Sequence, residues 1–115
     1  MKAYEKLNKE SISNACVRYT LISLDKHGNL FFKACFDVQK GNKIKGHADS
    51  IFLNLEDEGG VTDLKEFMHV VGVYTFDDLM HKYVRIAYDE YGELIAIGHI
   101  LGDDWFFVKK QSLDK

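Results

Sequence analysis

The last third of the chain alternates between apolar runs and short polar segments. The runs, rich in β-branched and aromatic residues, cover residues 83–88, 93–101 and 105–108, and the segments between them contain Asp, Glu and Gly. Runs of this length and composition are typical of strands joined by tight turns. We therefore predict three consecutive antiparallel strands, a meander, in this part of the chain.

Side-chain alternation in this meander separates an apolar face from a face of small or polar residues. A turn centred on residues 91–92 predicts the cross-strand pairs Tyr88/Ile95, Ile86/Ile97 and Val84/His99 on the apolar face. Such a difference between faces is typical of an antiparallel sheet that is covered on one side. The second turn, at residues 102–104, is expected to place Trp105 near Leu101 and Phe107 near His99.

Residues 17–24 and 30–39 predict a second hairpin around the turn cluster at residues 25–29. With His27-Gly28 as the loop, the pairs on one face are Val17/Val38, Tyr19/Phe36, Leu21/Ala34 and Ser23/Phe32. The other face carries Arg18/Asp37, Thr20/Cys35, Ile22/Lys33 and Leu24/Phe31. Matched pairs of this kind contribute roughly 0.2 to 1 kcal/mol each. Three apolar side chains near the turn, Ile22, Leu24 and Phe31, are expected to be covered or to form a contact patch.

The middle of the chain predicts two short strands and two helices. Residues 43–47 are expected to form an edge strand protected by lysines, and residues 51–55 a separate strand before an acidic, glycine-ended loop. Residues 63–71 predict a helix, capped by Thr62 or Asp63, because the apolar positions follow helical spacing. Gly72 is placed to end it, and residues 75–79 predict a one-turn helix capped by Thr75. The apolar stripe of the main helix is Leu64, Phe67, Met68 and Val71.

Together these elements predict one α+β domain over residues 1–115, with an antiparallel sheet packed against the main helix. Residues 1–12 are expected to be a loose arm or a short helix, and residues 109–115 a charged tail. A hydrophobic content of 46% favours a packed core over disorder. A net charge of −3 without a basic stripe argues against direct nucleic-acid binding. No apolar run is long enough to span a membrane, so we expect a cytoplasmic protein.

The residues that could carry chemistry are scattered, so we expect a binding protein without a cofactor or a metal. Five histidines lack the spacing of metal ligands, and the acidic loop at residues 56–60 lacks the spacing of a calcium loop. Cys16 and Cys35 are expected to be free thiols, because the predicted register places them too far apart for a disulfide.

Two alternatives to a protein-binding function remain open from the residues alone. One is a module that binds a nucleotide-like signal through Tyr83, Arg85 and His99. The other is a small hydrolase that pairs a histidine with a carboxylate. Its candidate residues are His81, His99, Asp77, Asp78 and Asp103.

Candidate residues for binding a protein partner are those that the strand pattern leaves outside the sheet. Aromatic and acidic side chains at strand ends and turns are the main examples, and aromatic residues are enriched in binding hot spots. For Trp105, closing the core over Leu101 is the competing interpretation. The predicted partner-binding residues are Leu24, Phe31, Tyr91, Asp103, Asp104 and Trp105.

The second half of the chain resembles a family of small bacteriophage and prophage proteins. In that family, V-G-V-x-x-W/F-E/D-D-L-x-G-K-Y-V/I-R-V leads into A-I-G-H/N-I-I-x-D-x-W-F, and residues 71–86 and 96–106 are similar to these motifs. The resemblance covers residues 64–107, with His81 in place of the usual glycine. It implies a viral accessory protein of the bacterial host cell. Small phage proteins without catalytic signatures are often stoichiometric inhibitors of host defence, including anti-CRISPR proteins, so a CRISPR effector is the expected partner.

Overall fold

Six antiparallel strands form one sheet in the order β3-β2-β1-β4-β5-β6. The structure is a computed structural model that describes residues 11–40 and 43–108. The predicted α+β class, with a main helix and a one-turn helix, is confirmed. The arm predicted at residues 1–12 lies largely, and the tail predicted at residues 109–115 entirely, outside the described residues. The elements are β1 (Ile12–Leu24), β2 (Leu30–Lys40), β3 (Lys43–Asn54), α1 (Gly60–Val71), α2 (Phe76–Leu79), β4 (Tyr83–Tyr88), β5 (Leu94–His99) and β6 (Trp105–Phe107).

The first strand joins the two predicted hairpins into this single sheet. Along most of its length β1 pairs with β2, but only its first part pairs with β4, from Ile12 opposite Ala87 to Cys16 opposite Tyr83. The β1–β2 hairpin therefore projects beyond the start of β4. We call the sheet face that carries α1 the inner face and the opposite face the outer face.

The main helix packs its apolar stripe on the inner face, as predicted. Leu64, Phe67 and Val71 are buried, and the Phe67 ring lies 5.8 Å from the rings of both Phe32 and Phe106. Those two rings belong to β2 and β6, so one helical side chain links distant strands of the sheet. Burying a side chain of this size stabilises the fold by roughly 1.5–3 kcal/mol.

The ends of the helices confirm two predictions and correct one. Gly72 ends α1 and donates its N–H to the Met68 carbonyl at 2.9 Å, and the Thr75 hydroxyl accepts the Asp78 N–H at 3.2 Å at the start of α2. The predicted cap at Thr62 or Asp63 is wrong, because α1 begins at Gly60 without a side-chain cap. Glycine is required there, since a Cβ on Gly60 would lie 2.1 Å from the Asn54 carbonyl oxygen.

The predicted register of the first hairpin is wrong for two reasons: the turn is centred on His27, so Leu24 pairs with Leu30, and β1 contains a bulge. Val17 lies opposite Phe36, but after a register shift between residues 17 and 19, Ile22 lies opposite Phe32. A one-residue shift moves every later side chain to the other face. Thr20, Ile22 and Leu24 therefore face the inner side, while Tyr19, Leu21 and Ser23 face the outer side. The predicted Arg18/Asp37 ion pair still forms, at 3.8 Å.

Two further strand predictions need correction. Residues 43–47 and 51–55 do not form separate strands, because β3 runs from Lys43 to Asn54 along β2. In the meander, Val84/His99 and Ile86/Ile97 pair as predicted, but a bulge pairs Tyr88 with Leu94 instead of Ile95. The final turn is longer than predicted, so Trp105 lies opposite Gly98, and Phe107 lies opposite Ala96.

Candidate functional site

The projecting end of the first hairpin forms a groove with the one-turn helix. Beyond Cys16, no strand within the described residues pairs with β1 on the β4 side. There the Val17 N–H donates to the Lys82 carbonyl and the His81 N–H to the Val17 carbonyl, both at 2.8 Å. This connection holds α2 against β1, whereas α1 packs on β3, β5 and β6. In the part of the chain that the structure describes, α2 is therefore the helix that covers the inner face near the hairpin turn.

This space, which we call the hairpin groove, has a volume of about 310 Å³. Its floor is the fully buried Phe32, whose ring lies 5.9 Å from the Phe76 ring at an interplanar angle of 21°. Ile22, Phe76 and Met80 are each about two fifths exposed at its walls. The lining residues are Thr20, Leu21, Ile22, Phe32, Phe76, Asp77 and Met80.

Two leucines extend this apolar surface toward the turn. Leu24 and Leu30 lie opposite each other across the β1–β2 ladder, two positions beyond Ile22 and Phe32, so they share the inner face. Leu24 is 63% exposed and Leu30 is 37% exposed. We call Leu24 and Leu30 the apolar tip. The groove and the tip together place five large, exposed apolar side chains on one end of the sheet.

The turn beyond the apolar tip is ordered by one carboxylate. The Asp25 side chain accepts the N–H groups of His27 at 2.8 Å and of Asn29 at 2.9 Å. The hydrogen bond with Asn29 is the largest of the causes that lower the pKa of the Asp25 carboxyl, because it favours the charged form. The hairpin end is thus held in one conformation although it projects from the sheet.

Carboxylates lie on two sides of the hairpin groove and the apolar tip. Asp77 lines the groove and Asp78 follows it on α2. On the β3 side, the Glu56 carboxylate accepts the Leu30 N–H at 3.2 Å, and Asp57 and Glu58 follow in an exposed loop. We call these five residues the acidic rim.

The structure does not bring the six predicted partner-binding residues together. Leu24 belongs to the apolar tip, but Phe31 is on the outer face, where its ring stacks on Phe52 at 4.5 Å. Tyr91 is 82% exposed in the β4–β5 turn, at the opposite end of the sheet from Leu24. Asp103 and Asp104 are exposed in the β5–β6 loop.

Trp105 packs on the outer face instead of closing the core over Leu101. Its side chain is only 6% exposed and clusters with Ala87 and Ala96, while Leu101 is 88% exposed. The interpretation of Trp105 as a lid over Leu101 is therefore wrong. In this position the indole offers a partner little surface.

The predicted ligand-binding residues are divided between the two faces. The 62%-exposed Tyr83 and the half-buried Arg85 share the outer face, whereas the His99 ring lies on the inner face near Gly72. Nδ1 of His99 accepts the N–H groups of Leu101 and Gly102, each at 3.0 Å. These contacts shape the β5–β6 loop, and they do not direct the His99 and Arg85 side chains toward a common ligand.

The histidine–carboxylate pairs that the hydrolase alternative requires are not formed. Within residues 11–40 and 43–108, neither His81 nor His99 makes a hydrogen bond or an ion pair with Asp77, Asp78 or Asp103. The same residues contain no cluster of three His, Cys, Asp or Glu side chains that could hold a metal ion. Both cysteines are free thiols, as predicted.

Sequence reasoning identified part of the hairpin groove and missed the rest. The grouping of Ile22 and Leu24 near the turn indicated a contact patch, although with Phe31 as its third member. Phe76 and Met80 were missed because Phe76 begins a one-turn helix and Met80 follows it, and no apolar stripe can repeat in one turn. Leu30 was missed because the turn is centred on His27, which pairs Leu24 with Leu30 instead of Phe31.

No protein-family model matches this chain, and no curated protein matches it. None of the helices in the described part of the chain is both long enough and apolar enough to cross a membrane.

Proposed function

We propose that this protein is a small phage-encoded accessory protein that binds a host defence protein in a fixed ratio and blocks it. The proposed target class is a CRISPR effector nuclease. The observation that carries the proposal is the surface made by the hairpin groove and the apolar tip. The resemblance of residues 64–107 to phage proteins supports the viral origin. Neither His81 nor His99 bonds to Asp77, Asp78 or Asp103, so the hydrolase alternative gains no support.

The composition of this surface favours a protein as its ligand. Ile22, Leu24, Leu30, Phe76 and Met80 are each more than a third exposed, and all five lie at one end of the sheet. Exposed apolar side chains that are contiguous and bordered by polar groups are typical of protein-binding sites. The fully buried Phe32 below them gives the groove a rigid apolar floor, which suits the insertion of an anchor side chain.

A phage-plating experiment tests the function. Bacterial strains that each carry one CRISPR–Cas system would express the wild-type protein, the Ile22→Asp variant or the Met80→Asp variant. We expect the wild type to raise the plating efficiency of a targeted phage by at least about tenfold in one strain, and both variants to lose this effect. Asp at position 22 or 80 removes apolar contact area and places a carboxylate among the apolar side chains, where it must be desolvated when the partner binds, which is unfavourable.

Leu101→Asp is the matched control, because Leu101 is 88% exposed and lies in the β5–β6 loop away from the groove. It should protect the phage as well as the wild type does. Light scattering of the protein mixed with the purified effector of the protected strain should then show a complex of constant stoichiometry. If no strain is protected and no purified effector is bound, the proposed function is wrong.

A further inference from the structure

We infer that the partner segment that occupies the hairpin groove is positively charged and inserts one large apolar side chain between arginines or lysines. This inference rests on the proposed function, because it names the chemistry of the partner at the same surface. It follows from the position of the acidic rim relative to the groove and the apolar tip. The hairpin groove and the apolar tip provide the contact area. The acidic rim favours positively charged residues next to the apolar side chain that the partner inserts.

The rim lies on both sides of the apolar surface. Asp77 and Asp78 border it along α2, while Glu56 borders it at Leu30 on the β3 side. A segment that crosses the groove from α2 toward β3 therefore passes carboxylates at both ends. Opposite charges in this arrangement favour association and select against acidic segments.

Within the described residues the rim carboxylates form no ion pair, although Glu56 already accepts the Leu30 N–H. Asp57, Glu58, Asp77 and Asp78 form no ion pair with any side chain in the described ranges, where the ion pair of Arg18 with Asp37 lies on a different part of the hairpin. The rim places five carboxylates around the groove and the apolar tip, and the net charge of the chain is also negative, at −3.

The volume of the groove indicates which apolar side chain of a partner it can accept. A volume of about 310 Å³ has room for a large apolar side chain such as Phe, Leu or Met. A partner segment can therefore place an apolar anchor in the groove and continue over the apolar tip. Basic segments with interspersed apolar residues occur on nucleic-acid-binding surfaces, so a nuclease would offer this chemistry.

A displayed library of random dodecapeptides is the probe that tests the inference. Peptides would be selected on the wild-type protein after removal of those that bind the Ile22→Asp variant. We expect the retained peptides to contain an aromatic or large aliphatic residue with Arg or Lys within three positions on each side. Neutral or acidic retained peptides would overturn the inference, and so would the absence of any groove-dependent peptide.

Charge variants then separate electrostatic selection from apolar contact. The double variant Asp77→Asn/Asp78→Asn should bind a selected basic peptide roughly fivefold more weakly, with most of the loss disappearing at high salt, because exposed charge pairs are weak and screened. The matched control Glu90→Gln/Glu93→Gln removes two exposed carboxylates in the β4–β5 turn and should leave the affinity unchanged. Equal affinities for both double variants would overturn the inference.

The two proposals fail in different experiments. If phage protection depends on Ile22 and Met80 while the selected peptides are not basic, the inhibitor function stands and the inferred partner chemistry is wrong. If basic peptides bind the groove but no CRISPR system is inhibited, the partner chemistry stands and the proposed target class is wrong.

Discussion

The guanidinium carbon of Arg85 lies 4.9 Å from the centre of the Trp105 ring, on the outer face of the sheet. Nε of the same side chain donates to the His99 carbonyl at 2.9 Å, and its terminal nitrogen donates to the Gly102 carbonyl. One side chain from β4 therefore holds the ring from β6 and the loop that connects β5 with β6. Because β6 has only three residues, this clamp adds side-chain contacts to the short ladder between β5 and β6.

The first prediction concerns this clamp. Arg85→Ala should lower the free energy of unfolding by about 2 kcal/mol, because it removes a cation–π contact and hydrogen bonds of a charged donor. Arg85→Lys should lower the free energy of unfolding by about half as much, since an ammonium group cannot reproduce the planar donor geometry of the guanidinium. Urea denaturation followed by circular dichroism measures both values.

Arg18→Ala is the matched control for the clamp. Arg18 is largely exposed, and its ion pair with Asp37 spans 3.8 Å. Exposed pairs of this kind contribute about 0 to 1 kcal/mol. A loss for Arg85→Ala no larger than that for Arg18→Ala would contradict the structural role of Arg85.

The second prediction concerns the close approach of Gly98 and Trp105. A Cβ on Gly98 would lie 2.8 Å from three carbons of the indole ring, so Gly98→Ala must displace the ring. We expect a loss of about 1–3 kcal/mol in the free energy of unfolding, as for other overpacked sites. Since Trp105 is the single tryptophan of the chain, its fluorescence should also shift to longer wavelength.

A double variant checks this explanation for Gly98. In a Trp105→Leu background the clash partner is gone, so adding Gly98→Ala should change stability by no more than about 0.5 kcal/mol. If Gly98→Ala is equally destabilising in both backgrounds, the indole is not the cause, and a backbone requirement of Gly98 would have to explain the loss.

Regular alternation and helical spacing in the sequence were sufficient to predict the fold class and much of the core. Leu64, Phe67 and Val71 repeat at helical spacing, and the pair Ile86/Ile97 follows from a turn centred on residues 91–92. These features depend on local patterns and on one tight turn. They could therefore be predicted from the sequence without knowledge of contacts between distant parts of the chain.

The errors arose at turns and bulges, where the register changes. The turn at residues 25–29 is centred on His27 instead of between His27 and Gly28, which brings Ile22 to the face that forms the hairpin groove, and the bulge between Val17 and Tyr19 has no glycine or proline to mark it. The turn before Trp105 makes contacts with a distant strand, because Arg85 donates to the carbonyls of His99 and Gly102. Such features depend on tertiary contacts, which explains why half of the groove could not be predicted.

The third prediction concerns the backbone of His81, which has a φ angle of 66°. This left-handed conformation is unfavourable for residues with a Cβ, least so for Asn, Asp and His, and most so for β-branched residues. We expect His81→Val to lower the free energy of unfolding by roughly 1–2 kcal/mol and His81→Gly to leave it equal or higher. Urea denaturation gives the comparison.

His69→Val is the control for His81, because His69 is an exposed position in the last turn of the regular helix α1. At position 69, replacing His by Val changes only the helix propensity, and the free energy of unfolding should change by roughly a few tenths of a kcal/mol. A loss at position 81 no larger than that at position 69 would mean that the backbone there is not left-handed in solution.

The final prediction concerns Tyr88 in alkaline solution. Burial of Tyr88 raises the pKa of its phenol, and the nearby charge of Asp49 and a hydrogen bond to it raise that pKa further. In the unfolded chain the phenol ionises near pH 10, roughly. Above that pH the unfolded state loses a proton that the folded state keeps, so the stabilisation present at lower pH decreases as the pH rises.

Urea midpoints measured between about pH 8 and pH 11.5 test this prediction. Above about pH 10 the midpoint of the wild type should decrease more steeply with pH than that of Tyr88→Phe. Asp49→Asn should fall between the two, because it removes the charge but leaves the phenol half-buried. Absorbance at 295 nm provides an independent measurement, in which one tyrosine of the folded wild type should ionise last and be missing from Tyr88→Phe. Identical alkaline profiles for all three proteins would contradict the contact between Tyr88 and Asp49. They would also mean that β4, which carries Tyr88, and β3, which carries Asp49, do not approach each other across the inner face.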